Sequence, residues 1–206
     1  MGAITKNFSK PKGLIGSVIL NAMNKGHEKL TKWTLSLVDI HVGDKVLDVG
    51  CGGGNAIHLM SQKSDMVYGV DYSETSVKKA VKKNAAAIAE GKVDIRQASV
   101  SSLPFEDNMF DVITAFETIY FWPDLANDFK EVCRVVKSGG VFAAAFQVGD
   151  TEEHSRAMEN RVEGMRVPNP EDVEQLLREA GFADVTIHQD ALTSPEWLDI
   201  CVIGKK

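Results

Sequence analysis

The segment Val46–Ala56 constrains this chain most, because an apolar run carrying one acid leads into closely spaced glycines. Branched apolar residues surround Asp48, and Ala56–Met60 then resumes at helical spacing. The glycines are Gly50, Gly52 and Gly54. This pattern predicts a buried strand, a tight turn and the start of a helix. Glycine lets the backbone approach a ligand closely, and the helix start offers unpaired N–H groups. We therefore expect a small-molecule cradle at the carboxyl edge of a sheet.

The glycine turn differs from the dinucleotide-binding fingerprint G-x-G-x-x-G, because Asn55 stands where the third glycine belongs. Asp48, two residues before Gly50, would also repel a pyrophosphate. Two interpretations of Asp48 remain open. It suits a ligand with a cationic end, and it equally suits a structural hydrogen-bond partner beneath the loop.

A second acid follows at the spacing expected for a ribose contact. Met66–Val70 is a short apolar strand that ends at Asp71, which lies 23 residues after Asp48. An acid at the end of the second strand is placed to accept hydrogen bonds from ribose hydroxyls. The alternative is a cap for the following helix, a role that Ser73 also fits.

The glycine turn and Asp71 together resemble the class I S-adenosylmethionine-dependent methyltransferases. The run Leu103–Val112, L-P-F-E-D-N-M-F-D-V, is similar to the small-molecule branch (methyltransferase type 11 domain) that includes quinone-biosynthesis enzymes. The resemblance implies S-adenosyl-L-methionine as cofactor. Many members carry an acid that bonds the adenine amino group where this chain has Ser99. The implied cofactor-binding residues are Asp48, Gly50, Cys51, Gly52, Asn55, Asp71, Tyr72, Ser99, Val100 and Phe116.

The order of elements indicates an α/β fold with a mostly parallel sheet covered by helices on both faces. The resemblance covers about residues 40–206 and implies a Rossmann-like sheet of seven strands, the last antiparallel and inserted between the fifth and sixth. Residues 1–39 are expected to form a helical cap within the same domain, with helices near 13–24 and 26–39. Further helices are predicted at roughly 74–90, 124–137 and 170–180. The polar stretch 147–169 lies where a substrate lid would sit.

The resemblance implies methyl transfer to a small-molecule acceptor by in-line displacement. Such a reaction needs alignment and a dry site, and it needs a base only when the acceptor must lose a proton. The candidates by location are His27, Glu117, Tyr120 and His154, and none is singled out by sequence. Tyr120–Trp122 are expected to place at least one ring in the acceptor pocket and the others in the core.

Composition limits the partners of the chain. The 206 residues carry a formal net charge of −6, which argues against non-specific electrostatic binding to nucleic acid or to an anionic membrane. No run reaches the length of a membrane span, and Leu14–Met23 has the face of an amphipathic helix rather than a signal peptide. The three cysteines lack metal-ligand spacing and predict a reducing, cytoplasmic location. No metal is expected, and the oligomeric state is open.

Two other functional classes remain open at this point. A nucleotide-dependent oxidoreductase would share the strand–turn–helix and Asp71 but lacks the third glycine of its fingerprint. A non-catalytic cofactor-binding or scaffold protein would carry the same loop without acceptor chemistry.

Overall fold

The computed structural model describes residues 28–194 and 196–206, excepting the side chains of Thr193 and Ser194. The helices are α1 Glu28–Leu37, α2 Asn55–Met60, α3 Glu74–Lys83, α4 Ala85–Ala89, α5 Leu125–Val135, α6 Glu152–Arg161 and α7 Pro170–Ala180. The strands are β1 Lys45–Val49, β2 Met66–Asp71, β3 Val93–Gln97, β4 Phe110–Phe116, β5 Val136–Gly149, β6 Asp184–Ser194 and β7 Trp197–Lys205. A single 3₁₀ turn, Ile119–Phe121, follows β4.

The described strands form one seven-stranded sheet in the order β3-β2-β1-β4-β5-β7-β6. The pairs from β3 to β5 are all parallel. Strand β7 runs antiparallel to both β5 and β6. The predicted sheet is thus confirmed, including the insertion of the last strand between the fifth and sixth. The carboxyl ends of β1, β2, β3 and β4 meet at one edge, which places the glycine turn and Asp71 side by side.

Both faces of the central strands β1, β2 and β4 are mostly buried, as the apolar strands predict. On one face α5 and α7 pack through Phe129, Val132, Val173 and Leu177 against the aromatic residues Phe110, Phe142 and Phe146. On the other face α1, α2 and α3 supply Leu35, Ile57, Met60 and Ala80. The two layers leave the loops at the carboxyl edge as the exposed part of the parallel strands.

The predicted cap lies only partly within the described residues. Helix α1 corresponds to the second predicted cap helix, and its Leu35 packs in one cluster with Val46 and Cys201. The first predicted helix, 13–24, and His27 lie outside the described residues. The division into a cap and a cofactor-binding part therefore stays a proposal.

The single helix predicted over 74–90 is wrong, because Asn84 divides it into α3 and α4. The Asn84 side-chain amide donates to the carbonyl oxygens of Ala80 at 2.9 Å and Gly54 at 3.0 Å. The second bond reaches across to the glycine turn, and the Asn84 backbone departs from helical geometry at φ −101° and ψ 18°. A hydrogen bond between residues so far apart in the sequence leaves no periodic signal there.

The predicted boundary between α5 and β5 is also wrong. The helix predicted to about residue 137 ends at Val135, and β5 begins at Val136, which pairs with Phe110. The backbone of Gly139 and Gly140 exchanges hydrogen bonds with Lys206, at 2.7 and 3.0 Å. The glycines therefore bend the start of a strand. The polar stretch after β5 contains a helix, α6, which exposes its polar side chains.

Candidate functional site

The glycine turn after β1 is held tightly against its neighbours. The N–H groups of Gly50 and Cys51 both donate to the carbonyl oxygen of Val70, at 2.8 and 2.9 Å. Gly50 has φ +78°, and a Cβ there would lie 2.2 Å from the Oγ1 of Thr118. A side chain at this position meets both backbone strain and a collision. The loop therefore keeps its backbone bare toward the edge of the sheet.

Asp71 is oriented by two backbone donors at the end of β2. Gly52 N–H lies 2.9 Å from Oδ2, and Ser73 N–H lies 2.8 Å from Oδ1. Burial raises the pKa of this carboxyl, and these two bonds oppose the rise. Ser73 supplies the N-cap of α3 through its hydroxyl, which accepts from the N–H of Ser76 at 3.4 Å. The capping role thus falls to Ser73, and Asp71 borders the cavity described next.

A cavity of about 320 Å³ opens at the carboxyl edge, beside the glycine turn. It runs from the residues that follow β3, past the ends of β2 and β1, to those that follow β4. It is lined by Val49, Gly50, Val70, Asp71, Tyr72, Ala98, Ser99, Val100, Thr118, Phe121, Trp122, Pro123 and Gly164. Five predicted cofactor-binding residues line it together: Gly50, Asp71, Tyr72, Ser99 and Val100. A continuous cavity of this extent, bordered by a fixed carboxylate and bare glycine backbone, fits a nucleoside-bearing ligand.

The end of the cavity beyond β3 lacks an acid among the described lining residues. Ser99 is exposed, and its hydroxyl accepts a 3.3 Å hydrogen bond from the N–H of Ser101. Val100 is buried at 8% exposure, while Tyr72 exposes 40% of its surface. This end offers an apolar wall, an aromatic side chain and a hydroxyl rather than a charge.

Asp48 lies beneath the glycine turn and does not line this cavity. It is 2% exposed, and its Oδ1 accepts a 2.8 Å hydrogen bond from the hydroxyl of Thr114 in β4. Burial raises its pKa to about 7; the bond from Thr114 opposes this rise, and the charge of Asp71 adds to it. Of the two interpretations left open by the sequence, the structure favours the hydrogen-bonded partner beneath the loop.

Four other residues predicted to bind cofactor do not line the described cavity. Cys51 is buried under the turn, and burial raises the pKa of its thiol well above the usual range. Phe116 packs against the cluster formed by α1, α2 and α3. Gly52 acts through its backbone bond to Asp71, and Asn55 is the first residue of α2. Direct cofactor contact by these four residues stays a prediction.

Among the candidate bases, Tyr120 is locked into the core. Its hydroxyl lies 3.0 Å from Oε1 of Glu117 and 2.9 Å from the carbonyl oxygen of Gln147, and it accepts the Gln147 N–H at 2.5 Å. Burial raises the Tyr120 pKa well above its usual range, and the neighbouring Glu117 adds to the effect. Tyr120 is therefore a poor base at neutral pH. Glu117, at 8% exposure, directly follows β4.

His154 lies away from the described cavity, on the exposed helix α6. Its Nδ1 is 2.5 Å from Oδ1 of Asp150, and this hydrogen bond raises the pKa of the imidazole. Its ring approaches that of Trp197, with centroids 6.2 Å apart. His154 therefore stabilises the start of α6, while His27 lies outside the described residues.

The aromatic run after β4 divides between the core and the cavity. Tyr120 is buried, and Phe121 and Trp122 line the cavity. Trp122 also stacks on Phe142 at 6.3 Å between centroids. One of its faces is thus fixed by the core.

Three residues of the site carry weak sequence signals. Thr114, which anchors Asp48, is a polar residue among apolar ones in β4, and this interruption indicates a buried hydrogen bond. Thr118 packs on Gly50. Gly164 follows α6 and lines the cavity, and the nearby Arg166 N–H donates to the carbonyl oxygen of Tyr120 at 3.1 Å. The segment predicted as a lid therefore reaches the cavity at Gly164.

Two further features limit the chemistry of the part of the chain that the structure describes. Within residues 28–194 and 196–206, no group of three or more His, Cys, Asp or Glu side chains is arranged to hold a metal ion. Over the same residues, no helix has both the length and the apolar character needed to cross a membrane.

Comparisons with known proteins agree with this geometry. Residues 47–144 match the model of a methyltransferase domain. The chain is 32% identical over 116 residues to 27-O-demethylrifamycin SV methyltransferase of Amycolatopsis mediterranei, covering 56% of this chain and 43% of that protein. It is 33% identical over 117 residues to demethylmenaquinone methyltransferase of Bacillus mycoides, covering 55% of this chain and 49% of that protein.

A solved structure shares the fold over most of the chain. Geranyl diphosphate C-methyltransferase of Streptomyces coelicolor A3(2), in complex with Mg²⁺, geranyl diphosphate and S-adenosyl-L-homocysteine, superposes with a TM-score of 0.75 at 14% identity, covering 87% of this chain and 79% of that one. The chain spans about half the length of the two curated relatives. Residues 47–144 thus match a methyltransferase domain, and the chain is similar in sequence to named methyltransferases and in fold to a solved one.

Proposed function

We propose that this protein transfers a methyl group from S-adenosyl-L-methionine to a small-molecule acceptor. The observation that carries the proposal is the Asp71 carboxylate, held by the Gly52 and Ser73 N–H groups at the border of a cavity next to bare glycine backbone. The names of the two relatives support a small acceptor. The S-adenosyl-L-homocysteine in the superposed structure supports the cofactor.

The residues at the cavity fit such a cofactor in order along the edge of the sheet. Asp71 would accept hydrogen bonds from the ribose hydroxyls. The backbone of Gly50 would contact the amino-acid part, and Val100 and Tyr72 would border the adenine. Asp48 would act indirectly by fixing β1 to β4 beneath the turn.

The cofactor, when bound, supplies an electrophilic methyl group on a positively charged sulfur. The chain contributes alignment and exclusion of water. Phe121, Trp122 and Pro123 form an apolar wall at the end of the cavity beyond β4. An acceptor held there at about 3–3.5 Å from the methyl carbon gains most from orientation, since the displacement itself requires no acid. A dry wall also favours the neutralisation of charge that accompanies transfer to an anionic acceptor.

We further propose that the acceptor is not a nucleic acid and that the protein works in the cytoplasm. The net charge of −6 opposes binding to polyanions. The three free, buried cysteines suit a reducing compartment.

The test is formation of S-adenosyl-L-homocysteine from S-adenosyl-L-methionine in the presence of a panel of acceptors. The panel contains thiols, amines, phenols, hydroquinones and carboxylates, each with and without protein. Turnover with at least one small acceptor, abolished or strongly reduced in Asp71→Ala, is the expected result. Tight cofactor binding without turnover on any acceptor would instead favour a non-catalytic binding protein.

A further inference from the structure

Glu117 has a backbone conformation that its side chain does not favour. Its φ is +55°, and among the described residues the other non-glycine with positive φ is Asn108. Asparagine adopts this region more readily than glutamate does, because its short polar side chain can bond the local backbone. Strain of this kind persists where the surroundings impose it, and it is concentrated at functional sites. The strained backbone therefore makes Glu117 a candidate for a functional role.

The neighbours of Glu117 show what imposes the strained conformation. Its N–H still donates to the carbonyl oxygen of Ala145 at 2.8 Å, so the strand pairing of β4 with β5 continues to this residue. The next residue, Thr118, lies against Gly50 and lines the cavity. The positive φ thus turns the chain sharply between a fixed strand end and the glycine loop.

The Glu117 carboxylate is linked to β5 through the Tyr120 hydroxyl. Its Oε1 lies 3.0 Å from the Tyr120 hydroxyl, and that hydroxyl is fixed by the backbone of Gln147 in β5. The Gln147 side chain in turn donates to Oδ1 of Asp199 in β7 at 2.8 Å. Tyr120 is therefore a positioning residue for Glu117, and the chain of bonds ties three strand ends together.

The order of the strands indicates which end of the cofactor Glu117 would meet. Along the carboxyl edge, the cavity passes from β3 to β2, β1 and β4. Under the proposed function, Asp71 at β2 meets the ribose and the glycine turn at β1 meets the amino-acid part. The sulfur joins these two parts, and its methyl group must point toward the acceptor. The side left for the acceptor is that of β4, where the buried Glu117 directly precedes the cavity-lining Thr118 without itself lining the cavity.

We propose that Glu117 presents its carboxylate to the positively charged, methyl-bearing end of the bound cofactor, with Tyr120 holding it in place. This inference rests on the proposed function. Its consequence is discrimination between S-adenosyl-L-methionine, which carries the charge, and S-adenosyl-L-homocysteine, which lacks the methyl group and the charge. A carboxylate near the sulfur stabilises the first ligand selectively, because all other parts of the two ligands are shared.

The experiment is calorimetric titration of the full chain with both ligands in four proteins. The variants are Glu117→Gln, Glu117→Asp and the exposed control Glu179→Gln, which changes the net charge equally at the far end of α7. Glu117→Gln is expected to weaken binding of S-adenosyl-L-methionine about tenfold, equivalent to about 1.4 kcal/mol. It should leave binding of S-adenosyl-L-homocysteine within about twofold. Glu117→Asp, which keeps the charge, should retain most of the discrimination, and Glu179→Gln all of it.

The outcomes separate this inference from the function on which it rests. Wild-type protein that binds neither ligand would overturn the proposed function. Wild-type protein that binds both, with an unchanged affinity ratio in Glu117→Gln, would overturn only the role of Glu117. An equal loss of both ligands would show a purely structural role and would overturn it as well.

A second variant decides the matter if Glu117→Gln does not fold. Tyr120→Phe keeps the Glu117 charge but removes the hydroxyl that positions it. The ratio of the two affinities is then expected to fall about two- to fivefold. An unchanged ratio in a folded Tyr120→Phe protein would contradict the proposed arrangement, whereas a general loss of stability would not by itself alter the ratio.

Discussion

The Thr114 hydroxyl donates a 2.8 Å hydrogen bond to the Asp48 carboxylate, which joins β4 to β1 directly beneath the glycine turn. Both side chains are almost fully buried. The bond opposes the loss of hydration that burial imposes on Asp48, yet the pKa of this carboxyl still rises to about 7. A buried acid in this position links the stability of the site to pH.

The stability of the protein should fall as pH rises through the acidic range because of Asp48. Its pKa is raised from 3.8 to about 7, so the unfolded chain releases the proton first and the folded chain keeps it up to about neutral pH. The contribution of the protonated Asp48 carboxyl to the free energy of unfolding is thus complete below pH 4 and is lost by pH 7. At about 1.36 kcal/mol per pH unit, the loss across that window is about 4 kcal/mol.

Urea unfolding at several pH values between 4 and 8 measures this dependence. Asp48→Asn should remove the part of the pH dependence that Asp48 contributes, leaving that of Asp71, whose pKa is also raised. The exposed acid Glu106 provides a control, since Glu106→Gln should keep the wild-type profile. Identical profiles for wild type and Asp48→Asn would show that Asp48 is not buried as described.

Gly50→Ala should damage the site through a steric collision. The new Cβ would lie 2.2 Å from Thr118 Oγ1 in a backbone with φ +78°, so the turn must shift. We expect at least about a tenfold loss of cofactor affinity, or 1.4 kcal/mol. Gly91→Ala is the matched control, because Gly91 has φ +74° and open space around it. Gly91→Ala should share the backbone strain and lower the free energy of unfolding, but it should leave cofactor affinity unchanged. Equal affinity losses in both variants would contradict the proposed collision with Thr118.

Asp71→Ala should weaken S-adenosyl-L-methionine and S-adenosyl-L-homocysteine equally, because the ribose is common to both. The loss should be about 1.5–3 kcal/mol, the range for hydrogen bonds to a charged group. Ser73→Ala separates the neighbouring cap from the ligand contact. It should cost about 1 kcal/mol of folding stability with little change in affinity. A folded Asp71→Ala variant with wild-type affinity would remove Asp71 from the site.

Arg134→Lys should destabilise the fold without changing cofactor affinity. The guanidinium donates to the carboxylates of Glu131 and Asp107 and to the carbonyl oxygens of Leu103 and Phe105, which fixes the loop before β4. Lysine cannot reproduce this fork of donors. We expect a loss of about 1–3 kcal/mol in the free energy of unfolding, measured by urea denaturation. An unchanged midpoint would show that solvent replaces these bonds without cost.

The sequence predicted the parts of the fold that depend on local patterns. The strand–turn–helix at Gly50, the acid at Asp71 and the capped helix that starts at Pro170 follow from residue type and spacing alone. The seven strands, with the last one antiparallel and inserted between the fifth and sixth, followed from the family resemblance. The structure confirms each of these features.

The features that the sequence did not predict depend on contacts between distant segments. Asn84 divides a helix because it bonds the carbonyl oxygen of Gly54, 30 residues away. Gly139 bends a strand because it pairs with Lys206. The choice between the two interpretations of Asp48 needed the position of Thr114, 66 residues further along. Such pairings leave no periodic trace in the chain.

The most direct measurement is calorimetric titration of the purified protein with S-adenosyl-L-methionine, S-adenosyl-L-homocysteine and NAD in parallel. The arrangement of Asp71 and the glycine turn predicts saturable binding of the two adenosyl ligands and no heat of binding with NAD. Binding of NAD alone, or of none of the three, would contradict the assignment of this cavity to S-adenosyl-L-methionine.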